Sequence, residues 1–320
     1  MLLERTRLDR RGFLIAGAAA VTAAATGAGA AARPFFAGKG LPIGIQLYTL
    51  GPDAARDLDG TLAAVAAAGY RTVELAGFYG KTPQQFRAAL DKAGLKATSV
   101  HVQGRAMGPD GGLDGDLGKL SDAVLAVGAT QAVMPSPRIP ERLGLRPAAG
   151  EDIAGWFRRV LTAMNADDWK ENARFLNEKA AVLKTAGVRL GYHNHNFEFA
   201  PQGSTTGIEI LIRETDPALV TFEADVGWVA AAGVDPAAFI RKHKGRVTMM
   251  HVKDLKASTR PNFELRMDPT EIGSGEIDWK TLLPAAYAAG VRHFYVEQEA
   301  PFERPRIEAA KISYDFLAKV

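Results

Sequence analysis

The chain contains no cysteine. That excludes a disulfide framework and a zinc site closed by thiolates. It also lacks a surplus of either charge: 39 Lys and Arg stand against 36 Asp and Glu, a formal net charge of +3. So small an excess does not indicate nucleic-acid binding, which needs a basic face or stripe. Long hydrophobic runs are missing too, apart from an Ala- and Gly-rich stretch ending near residue 25 that is too short to favour a spanning helix. What remains is a globular composition, 47% hydrophobic and 23% charged over 320 residues, enough for one barrel-sized core or two smaller ones.

The N-terminal segment has the order of a secretory signal: basic, apolar, then small. Residues 1–11 are basic and carry Arg10-Arg11, the apolar stretch follows, and Ala28-Gly29-Ala30 offers a cleavage site. The string DRRGFLI resembles a twin-arginine signal, a receptor-read address rather than an anchor. Cleavage after Ala30 removes four arginines and two acids, so +3 becomes +1. The expected organisation is a signal peptide over 1–32, a linker over 33–42 and one folded domain over 43–320. The resemblance implies the twin-arginine export machinery as a partner, a periplasmic or otherwise exported mature protein, and no stable membrane anchor after cleavage.

From residue 43 onward, short apolar runs alternate with longer amphipathic ones. The runs fall at 43–47, 71–75, 96–101, 131–134, 188–193, 220–225, 247–251 and 291–297. Thr82-Pro83 opens one intervening helix, since Pro is tolerated in a first turn. Gly69, Gly94, Gly128, Gly187 and Gly290 stop helices just before strands. Alternation predicts parallel strands joined by helical crossovers. Eight such units predict an α/β fold, a single (β/α)8 TIM barrel. An open doubly wound sheet would want a Gly-rich fingerprint after the first strand, and Leu47-Tyr-Thr-Leu-Gly-Pro52 lacks one. The Pro-rich segment 135–167 reads as a long loop over the end of the fourth strand, with room for a short helix; such loops shape substrate pockets.

Ionisable residues gather where these strands end: Glu74, His101, His193, His195, Asp225, His251, Lys253, Asp254, Glu297 and Glu299. In a parallel barrel those ends meet at one mouth, where the loops build the active site. Charges converging there are costly unless paired, neutralised or bound to metal. Imidazole and carboxylate donors suit a divalent cation such as Mn, Co, Zn or Mg. A buried polar network satisfying the same groups is the plainer alternative.

These residues sit in strings that resemble the sugar phosphate isomerase/epimerase family, the xylose isomerase-like TIM barrels. The strings are Gly44-Ile-Gln-Leu-Tyr48, Gly69-Tyr-Arg-Thr-Val-Glu74, Gly191-Tyr-His-Asn-His-Asn-Phe-Glu-Phe199, Phe222-Glu-Ala-Asp-Val-Gly-Trp228, His251-Val-Lys-Asp254 and Ile272-Gly-Ser-Gly-Glu-Ile-Asp-Trp279. The resemblance covers residues 42–320. It implies metal ligands at His193, Asp225, His251 and Glu297, with His193 standing where the family has a glutamate. That glutamate is one of two acid/base groups in the epimerases, so the departure weakens a two-carboxylate mechanism.

Lys253, Glu297 and His195 are the expected acid, base or proton-donating groups, and Glu74, His101, Trp228 and Glu299 the expected substrate contacts, with Trp228 a wall for a sugar face. Glu198 has no settled role: a substrate or ligand contact and a place in solvent or behind the site weigh equally. His243 and His293 read as structural or surface residues. The resemblance implies a metal-dependent isomerase or epimerase of a small carbohydrate, working through an enediolate. Elimination from a keto-sugar or 3-keto-glycoside by a lyase or dehydratase is the alternative, and a non-catalytic sugar-binding barrel the second. No Gly-rich phosphate cradle accompanies the last strands beyond Gly273-Ser-Gly275, which favours an unphosphorylated sugar. A nuclease of the endonuclease IV type would need more metal ligands and a basic face for DNA.

Overall fold

Strand–helix alternation closes into a ring. The computed structural model describes residues 33–106 and 111–320. Its eight barrel strands are β1 (Gly44–Gln46), β2 (Thr72–Leu75), β3 (Lys96–His101), β4 (Gln131–Met134), β5 (Arg189–His193), β6 (Val220–Asp225), β7 (Val247–Val252) and β8 (His293–Val296). Each pairs in parallel with its sequence neighbour, and β8 returns to β1 through Gly44–Tyr295 and Ile45–Val296, so the barrel itself has no open edge. The single (β/α)8 barrel expected from the alternation is therefore what forms, and residues 33–320 make one compact unit. The expected signal peptide lies outside the described residues. Among the described residues no helix is long and apolar enough to cross a membrane.

Local chemistry sets the element ends. Helix Pro83–Ala93 starts with Thr82 and Gln85 in a reciprocal capping box, with Pro83 in its first turn. Gly94, at φ 70°, then turns the chain into β3, a conformation that a side chain would resist.

The segment 33–42 is more than a linker. Phe35–Lys39 is a short helix, and Phe36 is buried edge-on against Phe294 of β8 with ring centroids 5.5 Å apart. Burying such an aromatic contributes about 1.5–3 kcal/mol, which an extended connector would forgo. Segment 135–167 likewise folds: a 3-10 turn covers Glu141–Leu143 and a helix covers Ile153–Thr162.

Inside the barrel, Val133, Met249 and Tyr295 form an apolar layer of their own. Tyr295 completes it with a 2.7 Å hydroxyl hydrogen bond to Thr98. One pleat toward the C-terminal ends the lining turns polar, because His251 and Glu297 follow Met249 and Tyr295 by two residues. The strand register shifts at two places, between Val73 and Glu74 on β2 and between Phe222 and Glu223 on β6. Such irregularities re-aim side chains, and each falls at a glutamate fully buried in the barrel.

Candidate metal centre and active site

The mouth is organised around one lysine. Lys253 is fully buried, and its Nζ stands 2.7 Å from Asp225 Oδ2, 2.7 Å from Glu297 Oε2 and 2.7 Å from Glu299 Oε1. Its stem runs past Gly227, where a Cβ would lie 2.7 Å from Lys253 Cγ. Trp228 donates its indole N–H to Glu299 Oε1 at 3.2 Å, and the ammonium lies 5.2 Å from the indole ring centre. Asp225 caps helix Val226–Ala231: Oδ1 accepts the Trp228 backbone N–H at 3.0 Å, which leaves Oδ2 for the site. Burial opposes the lysine charge, but the carboxylates of Asp225, Glu297 and Glu299 hold its pKa well above the ordinary range. Burial would raise Glu297, yet Lys253 and His251 keep it well below the usual carboxylate range. Glu299 is shifted up, by burial and by the facing charge of Glu297, against the pull of Lys253.

One layer deeper, three imidazoles converge on one carboxylate. Glu223 Oε2 lies 3.1 Å from His101 Nε2, 3.1 Å from His193 Nδ1 and 3.1 Å from His251 Nε2. Glu74 Oε2 accepts from Gln46 Nε2 at 2.9 Å and lies 2.6 Å from His251 Nε2 and 3.2 Å from His101 Nε2. Among the described residues, Glu74 Oε1 and Glu223 Oε1 are buried without a hydrogen-bond partner. Burial disfavours a charged ring at His101, but Glu74 and Glu223 raise its pKa to about 9. Burial would also raise Glu223, with Glu74 adding to it, yet the facing histidines bring it down to about 2. His193 goes the other way, lowered by burial and by His251.

His251 joins the layers. Its Nδ1 faces Glu297 Oε2 at 2.9 Å and Asp225 Oδ2 at 3.7 Å, while Nε2 faces Glu74. Asp225, His251 and Glu297 each offer a donor atom within 4.8 Å of the others. Donors held about 2.0–2.2 Å from one small divalent ion stand roughly 3–3.5 Å apart, so this spacing fits. Among the described residues, Asp225 Oδ2 accepts no well-directed hydrogen bond, though the Lys253 ammonium stands 2.7 Å from it. Glu74 behind the ring completes the carboxylate–histidine–metal arrangement that orients an imidazole ligand. The donor set therefore fits a divalent metal.

Above the cluster opens a cavity of about 600 Å³ lined by aromatic and apolar side chains, among them Phe157, Leu161, Phe197 and Trp228, with Glu297 and Glu299. No Lys or Arg is among the described residues lining it. His195 projects into it, its ring stacked on Phe197 and tilted against Trp228. Burial and then the Lys253 charge lower its pKa to about 4, so the ring is neutral near pH 7. Glu198 is fully buried, which excludes the solvent-facing placement. It accepts the Tyr192 hydroxyl and the His195 backbone N–H, both at 2.8 Å, and burial pushes its pKa up to about 8.

The fold thus brings the expected residues together but sorts them by depth. His195, Trp228, Glu297 and Glu299 reach the cavity, as does His101 at its floor. Glu74 does not line the cavity; it faces His251 from below. His193, expected beside Asp225, His251 and Glu297, turns Nδ1 to Glu223, and its Nε2 is 3.9 Å from Asp225 Oδ2. Lys253 is committed to three carboxylates behind Glu299. Asp254 leaves the site altogether: its carboxylate accepts backbone N–H groups of Gly273, Gly275 and Ile277 and the Trp279 indole, fastening the 272–279 loop. His243 is paired with Glu209 at 2.9 Å, a structural contact as expected.

Sequence reasoning missed Glu223. Its signal was there, two residues before Asp225 on one strand and so on the same face. It also missed Gln46, which positions Glu74, and the Phe157 and Leu161 cover from the helix after β4.

A family model described as "Xylose isomerase-like TIM barrel" matches residues 62–320. An inosose dehydratase of Clostridium tetani is 31% identical over 90 residues, covering 28% of this chain and 30% of that one, so the chain matches under a third of that relative's length. A crystal structure of a sugar phosphate isomerase/epimerase from Parabacteroides distasonis superposes with a TM-score of 0.66 at 25% identity, over 87% of this chain and 94% of that one. The 3-keto-D-glucoside 4-epimerase of E. coli shares the fold at a TM-score of 0.59 and 17% identity, over 87% and 98% of the two chains. With four-fifths of its length under one family model, the chain belongs to the xylose isomerase-like TIM barrel family.

Proposed function

We propose that this protein is a metal-dependent isomerase or epimerase of an unphosphorylated sugar or ketosugar. The observation that carries the reading is the arrangement at the cavity floor. A donor triad of Asp225, His251 and Glu297 meets the cavity at Glu297, where the neutral imidazole of His195 and the Lys253-paired Glu299 also line it. A divalent ion held there would polarise a substrate carbonyl and stabilise negative charge on its oxygen. His195, neutral and facing the cavity, can take the proton from the neighbouring carbon. Glu299, shifted up and in contact with a buried ammonium, can hold the proton that is returned. Trp228 offers a flat face to a sugar ring and fixes Glu299 through its indole N–H. The absence of Lys and Arg from the described lining supports an uncharged substrate over a phosphate ester.

A second reading, elimination by a lyase or dehydratase, is favoured by His193. It is turned to Glu223 and cannot serve as the second cavity-facing carboxylate that epimerisation uses. Incubating the metal-loaded protein with a 3-keto-glucoside in D2O separates the outcomes by NMR. Deuterium in recovered or epimerised substrate supports the first reading, loss of the leaving group the second. No exchange and no product, or full turnover after chelation, would sink both. Function outside the cytoplasm and passage through the twin-arginine machinery remain part of this proposal and rest on the sequence of residues 1–32 alone.

A further inference from the structure

Leu265 combines two features that pull against each other. Its backbone is left-handed, with φ at 56°, one of two such non-glycine residues among those described. A branched side chain resists that conformation and glycine takes it freely, so the surroundings must hold it. Asn196, fully buried, accepts the Leu265 N–H at 3.1 Å and donates to Asn262 O and Oδ1, both at 2.9 Å. Asn262 donates its side-chain amide to Arg260 O and Arg266 O and accepts the Glu264 N–H, each at 2.9 Å. Its backbone N–H is tied to Ala231 O at 2.9 Å. The side chain held in this way packs on Trp228, Ala231 and Leu255 and lines the cavity, as do Phe157, Leu161 and Phe197. Glycine at 265 would relieve the backbone and surrender that wall.

We infer that Leu265 is a specificity-determining residue, and that what it selects is an apolar aglycone carried by the sugar. The inference rests on the proposed action on a sugar and deepens it. Sugar hydroxyls pressed on Leu265, Phe157, Leu161 and Phe197 would find no hydrogen-bond partner in those side chains, which makes their burial costly. A cavity of about 600 Å³ also encloses more than one sugar ring, within the range that takes a drug-sized molecule. The sugar meets Glu297, Glu299 and His195, and the apolar side chains take what is attached to it.

The test is titration calorimetry and steady-state kinetics on the full, metal-loaded chain with methyl and benzyl 3-keto-glucosides. The two carry the same sugar and both would release an unactivated alcohol. The wild type is expected to bind the benzyl compound about tenfold more tightly than the methyl one. Leu265→Ala should lose most of that preference, by weakening benzyl binding far more than methyl binding, and Leu265→Met should keep it. Asn262→Ala, which frees the left-handed backbone, should act in the same direction as Leu265→Ala. Equal affinities in the wild type, a preference that survives Leu265→Ala, or failure to bind either compound would overturn the inference. Binding with the expected preference but without turnover would instead count against the proposed reaction and leave Leu265 in its role. Should Leu265→Ala not fold, judged by its circular dichroism melt, the wild-type preference and Asn262→Ala still decide.

Discussion

At the barrel mouth three carboxylates, Asp225, Glu297 and Glu299, surround one buried ammonium; one pleat below, three imidazoles, His101, His193 and His251, surround one buried carboxylate. The layers are inverses of each other. Each places a central charge among neighbours of opposite or titratable character, and His251 belongs to both. Buried charges survive only when paired and hydrogen-bonded, so neither layer is independent of the other. The upper hub is an amine whose charge burial alone would remove, and it is held by acids. The lower hub is an acid held by bases that can also bind metal. The difference also follows access: Glu297 and Glu299 line the cavity, while Glu223 and Glu74 do not and are fully buried.

The strongest way to break the comparison is to remove the upper hub. Lys253→Met leaves three carboxylates facing one another, and urea unfolding of the chelated protein should show a loss of about 3–5 kcal/mol. Added manganese or cobalt should narrow that gap, because a cation then takes over the neutralising role; an unchanged gap would argue against a metal at the triad. Next in size, Asp225→Asn should reduce turnover of a 3-keto-glucoside by at least about 10²-fold with little loss of fold, measured by steady-state kinetics and thermal melting.

A pH series sharpens the contrast between the layers and their supporting shell. The Glu198 carboxyl is raised from 4.5 in the unfolded chain to about 8 in the fold. The folded state therefore holds a proton that the unfolded state gives up, and this contribution to stability is full below about pH 4.5 and is lost as pH rises toward 8. Glu198→Gln should flatten that decline, with a gain on the order of 4 kcal/mol over wild type at pH 8 and almost none at pH 4.5. Equal pH slopes for the two proteins would refute the assignment. The smallest effect is expected from Trp228→Phe, which removes the indole hydrogen bond to Glu299 while keeping a ring. A rise in KM of several-fold, about 1 kcal/mol, with kcat nearly constant, is the expected result.

Much of the fold was legible beforehand because its signals are local. Thr82-Pro83 and Gly94 mark a helix through capping and backbone chirality, which need no partner element. The strand-end histidines and acids could be listed because a parallel barrel sends all strand ends to one mouth. Helix Phe35–Lys39 is not legible in the sequence, since five residues carry no periodicity and Phe36 is buried against Phe294 of a strand far along the chain. Glu223 is not marked out by the sequence because its strand can be placed there but its depth cannot. The register shift beside it exists only between paired strands.

The order of residues along the chain was enough to dictate a closed α/β barrel and to bring His195, Asp225, His251, Lys253, Glu297 and Glu299 to one end, because helix stops and strand alternation are properties of neighbouring residues. Depth was decided by the closed barrel: which nitrogen of His251 meets which acid, that His193 turns to Glu223, and that Lys253 stands among three carboxylates rather than in the cavity. Those outcomes depend on side chains from strands far apart in sequence competing for the same buried space and charge, and that competition exists only once the barrel has closed.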